Sequence, residues 1–199
     1  MPSKTQLSSF AATLRKKVVE GYLKNNLSSL KDFIDLHSFE KSKTKQDLIC
    51  LEWRTTPESF SIVMTSKDLL ENLLRQKQQI GENFIYLDAT YKLMQNGFIL
   101  LTMGTENINH NFRFVACAIV SHEDTFAYEY FLLSIKKALK CYYNFNWNPS
   151  FAISDAANCI NNALRKVFPN IEHLRCYFHT IKAVKDKIQR YKNGEEKNF

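Results

Sequence analysis

Two aspartates, Asp88 and Asp155, close short apolar runs, Phe84-Ile85-Tyr86-Leu87 in one case and Phe151-Ala152-Ile153 with Ser154 in the other. Runs of this kind make strands buried on both faces, so a carboxylate at the end of one belongs outside the core. Where two such strands lie parallel and adjacent, their C-terminal ends open on the crevice in which α/β sheets bind ligands. Two carboxylates held there repel, which raises the pKa of one unless a cation neutralises them, and hard oxygen donors suit Mg²⁺ or Mn²⁺. A pair of such ions about 3.5–4 Å apart would activate an attacking hydroxyl and stabilise a leaving oxygen in phosphoryl transfer. A second role is open to Asp155, because Asp is a favoured N-cap and a helical pattern comes directly after it. Asp88 leads into Ala89-Thr90-Tyr91, where there is no helix to cap.

Cys176 and His179 form a C-x-x-H pair with metal-ligand spacing. A structural zinc needs four ligands, for which His173 and Cys159 are the further candidates. The alternative is that Cys176 fills a strand position and His179 begins a helix.

Periodicity indicates the elements that must position these residues. Phe10, Leu14, Val18 and Tyr22, then Leu30, Phe33, Ile34 and His37, recur at helical spacing, and two short strands at 48–54 and 60–65 read as a hairpin. Ser66 is placed to cap a helix carrying Leu69, Leu70, Leu73 and Leu74, with Gly81 at the left-handed position that ends it. Residues 1–80 thus read as a helical and hairpin appendage, and residues 81–199 as the core. The core begins with strands at 84–88, 98–103 and 112–120, antiparallel in sequence. Asp124 can cap a helix with Tyr128, Phe131, Leu132, Ile135 and Leu139 on one face; next come a strand at 151–153 and a helix carrying Ile160, Leu164 and Val167. A strand at 171–178 and a last helix complete the order β-β-β-α-β-α-β-α. That order predicts an α/β, ribonuclease H-like mixed sheet, with strands one, four and five parallel at its centre.

Composition is that of a folded protein: 199 residues, 45% apolar and 24% charged. The five cysteines are scattered and odd in number, as reduced thiols would be, and no run approaches the roughly 18 apolar residues of a membrane span. No signal-peptide pattern opens the chain, so an intracellular protein is expected. The net charge of +7 is unevenly spread. Residues 1–80 carry 13 basic and 9 acidic side chains, residues 81–162 carry 5 and 7, and residues 163–199 carry 9 and 4. A basic frame around an acidic middle could hold a polyphosphate backbone while leaving carboxylates for metal, although solvated helix faces give the same pattern. Candidate nucleic-acid contacts are Lys92, Arg175, Lys182 and Lys185. Only Cys50 and His37 could ligate zinc in the first eighty residues, which excludes a zinc-type DNA reader there. With five glycines and no G-x-G-x-x-G, a dinucleotide-binding domain is excluded as well.

Residues 84–92, Phe-Ile-Tyr-Leu-Asp-Ala-Thr-Tyr-Lys, resemble the first catalytic block of Mutator-like element (MULE) transposases, in which an apolar strand ends in Asp-x-Thr-Tyr. Val120-Ser121-His122-Glu123-Asp124-Thr125, then Phe151-Ala152-Ile153-Ser154-Asp155, then Cys176-Tyr177-Phe178-His179 are similar to that family's later blocks, in the same order. The resemblance covers residues 83–190. It implies a DDE transposase core in which Asp88 and Asp155 are the first two metal-binding acids, Cys176 and His179 lie beside the site, Mg²⁺ or Mn²⁺ is the cofactor and transposon-end DNA is the substrate. DNA is then the expected partner and the nucleus the expected location; a membrane is not expected, and a homo-oligomer is left open. The family's third acid, a Glu on a later helix, has no counterpart in the pattern. Glu195 would lie about 24 Å along a helix starting at His179. A truncated or inactive copy with little turnover is therefore expected, or else a domesticated module that binds nucleic acid or protein without catalysis.

Overall fold

The computed structural model describes residues 27–56, 59–91, 97–155 and 157–192. The helical pattern at 10–22, Lys92, Glu195 and Glu196 lie outside the described residues.

Seven strands form one mixed sheet in the order β1-β2-β5-β4-β3-β6-β7. Helix α1 (Leu27–Leu36) precedes the hairpin of β1 (Ile49–Thr55) and β2 (Phe60–Thr65), and α2 (Lys67–Ile80) comes after it. Next come β3 (Phe84–Thr90), β4 (Ile99–Glu106), β5 (Phe112–Val120) and the long α3 (Thr125–Tyr143). The chain then runs through β6 (Phe151–Ser154), α4 (Asn158–Val167), β7 (Glu172–Arg175) and α5 (Tyr177–Lys192).

Local signals set the helix limits. The Ser66 side chain accepts from the Leu69 N–H, Gly81 takes φ 83° as α2 ends, and Asp124 accepts from the Ala127 N–H to start α3. The hairpin forms as expected, but it is continuous with the main sheet: β2 bonds antiparallel to β5, through pairs such as Val63 with Ala118. Leu70 and Leu73 of α2 are fully buried in the same core as Ile85, Leu101, Phe131 and Leu164.

That core fills one face of the sheet, beneath α2, α3 and α4. A smaller cluster on the opposite face sets Leu30, Phe33 and Ile34 of α1 against Ile62, Met64, Cys117, Ile119 and Leu100. It extends across the sheet only as far as β4, so α1 does not cover that face of β3, β6 and β7. Asp88 lies on the uncovered part.

Two expectations are corrected. The strands β3, β6 and β7 are mutually parallel, but they form one end of the sheet and β4 is its middle, because the hairpin adds two strands on the far side. The last strand is also shorter than 171–178. The Cys176 N–H still bonds to the Ser154 carbonyl, but its own carbonyl accepts from the Thr180 N–H, so the chain turns helical from Tyr177. An edge strand with one neighbour has half the ladder bonds of an inner strand, and here the helix takes over early.

Among the described residues no helix is long and apolar enough to cross a membrane.

Candidate functional site

Asp88 is the fifth residue of β3, and the strand continues past it to Thr90. Its backbone pairs with Thr102 of β4, whose hydroxyl donates to the Asp88 carbonyl at 3.2 Å. Ile85 and Leu87 alternate into the core, which turns Tyr86 and Asp88 to the other face. On the other side β3 pairs parallel with β6, Phe84 with Phe151, Ile85 with Ala152 and Tyr86 with Ile153. Two residues past the Tyr86–Ile153 pair come Asp88, still within β3, and Asp155, the first residue after β6. Strand β6 is tied in turn to β7, Ser154 with Arg175, so Cys176 comes at the level of Asp155.

Helix α5 then brings His179 back over this row. Its Nε2 lies 3.9 Å from Asp88 Oδ1, an ion pair when the imidazole is protonated. The Asp88 side chain is 54% exposed and that of His179 35%. His179 Nδ1 is buried and has no hydrogen-bond partner.

Electrostatics register the same grouping. The Asp88 carboxyl sits above its ordinary pKa: partial burial raises it most, the His179 charge lowers it, the Asp155 carboxylate raises it and a bond from the Ala89 N–H lowers it. Behind Asp88 on the same face, Tyr86 donates to Glu106 Oε2 at 2.6 Å. Burial first, then that bond and the Glu106 charge, with Cys176 adding to them, raise the phenol's pKa.

Asp155 is not the cap of α4. That helix is capped at Ala157 without a side-chain bond, and Asp155 Oδ1 instead accepts from the Ala157 N–H at 3.1 Å, ahead of the helix. One carboxylate oxygen therefore has no capping task.

The remaining candidates divide. Arg175 ends β7 and is exposed; Lys182 and Lys185 lie on α5, where every side chain over 182–191 is exposed. Cys159 and His173 do not join Cys176 and His179, and among the described residues no three of His, Cys, Asp and Glu are grouped so as to hold a metal ion. The sequence reading did not assemble the pocket of about 270 Å³ between α4 and β7, to which Asn158, Asn161, Arg165, His173 and Arg175 contribute. Its signal was the alternation of Ile171, His173 and Arg175 along one face of β7, opposite Asn158, Asn161 and Arg165 at helical spacing.

Donor chemistry fits a divalent ion. Mg²⁺ is commonly held by one or two carboxylates, with waters and substrate phosphates completing its shell, and a cation would relieve the repulsion that Asp155 exerts on the Asp88 carboxylate. A family model described as the MULE transposase domain matches residues 84–183, just over half of the chain, from the first residue of β3 into α5. The match encloses Asp88, Asp155, Cys176 and His179. No curated protein matches the chain.

Proposed function

Since this chain belongs to the MULE transposase domain family, we propose that it is the ribonuclease H-like core of a DDE-type transposase, acting in the nucleus on transposon-end DNA. The observation that supports this reading is that Asp88, in β3, and Asp155, just past the adjacent parallel β6, each follow the Tyr86–Ile153 pair by two residues, with His179 Nε2 3.9 Å from Asp88. The last five strands, in the order β5-β4-β3-β6-β7 with β3 antiparallel to β4 and parallel to β6, support the fold assignment. Residues 1–80 then supply an added hairpin and helices to a core formed by residues 81–199.

In this reading Asp88 and Asp155 hold Mg²⁺ or Mn²⁺, which would supply Lewis-acid polarisation of a scissile phosphate. Asp88 presents its carboxylate from β3, and Asp155 presents its own with Oδ1 bonded to the Ala157 N–H. His179, with Nε2 3.9 Å from Asp88 Oδ1, pairs with that carboxylate when its ring is protonated. Cys176 occupies the first position after β7 and sets where α5 begins. Lys92, Arg175, Lys182 and Lys185 give the DNA backbone its sequence-independent contacts.

A second reading is a domesticated module that binds DNA or protein without turnover. It is favoured by the two-acid site, since no third ligand joins the pair among the described residues. Supercoiled plasmid incubated with the full chain and Mn²⁺ separates the two. Nicking that disappears in Asp88→Asn and Asp155→Asn supports the transposase; DNA binding without nicking supports the second reading. A chain that binds no DNA at any salt concentration would overturn both.

A further inference from the structure

The pocket between α4 and β7 has a composition that its role as a sheet edge does not require. Arg165 and Arg175 converge on it from the helix and the strand, together with Asn158, Asn161 and His173. Among the described residues neither guanidinium has an ion-pair partner, although the next residue, Lys166, is paired with Glu129 at 3.2 Å. Both side chains are exposed, and two guanidinium groups lining one cavity offer an anion paired N–H donors and positive charge.

Ser154 Oγ lies 2.8 Å from the Asp155 carbonyl oxygen and 2.7 Å from His173 Nε2. When the hydroxyl donates to Nε2, the neutral ring carries its hydrogen on Nδ1 and can donate it to an anion. Burial lowers the His173 pKa most; Asp155 raises it, and Arg175 and Arg165 lower it, which puts both arginines and Asp155 within electrostatic reach of the ring. Helix α4 starts without a side-chain cap beside Asn158, so its first-turn N–H groups add positive potential at the same end.

We propose that this pocket is a phosphate subsite that grips the DNA backbone one or a few nucleotides from the acid pair, with Arg165 and Arg175 as the forks and Asn158, Asn161 and His173 as further polar contacts. The proposal rests on the transposase reading and extends it. A cavity of about 270 Å³ accommodates a phosphodiester group with water. Guanidinium forks match phosphate oxygens in pairs. Asp155 follows Ser154, the residue beside His173, so the pocket lies at the same end of the sheet as the acids, on the face that α4 covers.

The test is fluorescence anisotropy with a short DNA duplex and the full chain, without divalent metal, over a range of salt. Arg165→Gln/Arg175→Gln should weaken binding roughly tenfold and flatten the dependence of log K on log salt by about one unit, the loss of one phosphate contact. Arg165→Lys/Arg175→Lys should keep the salt slope, and the charge-matched control Lys41→Gln/Lys43→Gln should change neither quantity. In the wild type, the His173 ring resonances should shift as DNA is added. Unchanged affinity and slope in the glutamine variant, with DNA still bound, would overturn the subsite and leave the transposase reading standing. Absence of DNA binding by the wild type would overturn both. Inorganic phosphate that shifts the His173 resonances and is not displaced by DNA would mark a small-anion site and also overturn the proposal.

Discussion

Asp88 and Asp155 each come two residues past the paired Tyr86 and Ile153, Asp88 within β3 and Asp155 one residue beyond the end of β6. Parallel pairing sets them at the same end of the sheet, and the Asp155 charge helps to raise the Asp88 pKa, so the two carboxylates are within electrostatic reach of each other. Four measurements test this pairing of acids and the sheet that enforces it.

Metal binding should stabilise the fold through both acids. At a Mn²⁺ concentration ten times the dissociation constant, linkage adds about 1.4 kcal/mol to the wild type, and Asp88→Asn or Asp155→Asn should remove most of that gain. Urea unfolding with Mn²⁺ and with chelator is the measurement. An equal gain in both variants would place the ion elsewhere.

Without metal, Asp88 should cost stability at neutral pH. Its folded-state pKa is raised, so the folded chain binds more protons than the unfolded one between the two values, and stability falls as pH rises through the folded pKa. Asp88→Asn should therefore be more stable than wild type at pH 7 and equal to it once pH drops below the unfolded carboxylate value of about 3.9. The side chain is 54% exposed, and solvent screening keeps the gain below about 1 kcal/mol. Chelated samples melted at both pH values give the comparison.

Leu73 lies in α2 but packs into the core shared with β3 and β4, at 0% exposure. Leu73→Ala should cost about 2–5 kcal/mol and lower the one unfolding transition of the whole sheet. Two separate transitions, with only the first one shifted, would show that residues 1–80 fold on their own.

Gly104 pairs with Tyr86 across β3 and β4, next to an irregularity in the β4–β5 register. A methyl group there would overlap the Phe112 ring and lie 3.0 Å from the Arg113 carbonyl oxygen, and that ring packs 6.1 Å from Tyr86. Gly104→Ala should destabilise by about 1–3 kcal/mol, read by thermal melting, because the ring must shift toward the strand that carries Asp88.

Short-range chemistry fixed much of this molecule before it folded. Ser66, Gly81 and Asp124 mark helix limits through bonds to residues at most four away, and the alternation around Ile85 and Leu87 places Asp88 outside the core. The ordered blocks at 84–92, 120–125, 151–155 and 176–179 were sufficient to name a family. Long-range pairing decided the rest. Whether Asp155 capped α4 depended on where the helix began, and it begins after Ala157, whose N–H bonds Asp155 Oδ1. The hairpin joined the sheet because β5 offered β2 an open edge, which no local pattern in 49–65 reveals. The pocket of Arg165, His173 and Arg175 exists only where a helical spacing on α4 meets a two-residue spacing on β7, and those two periods come into contact only through tertiary packing.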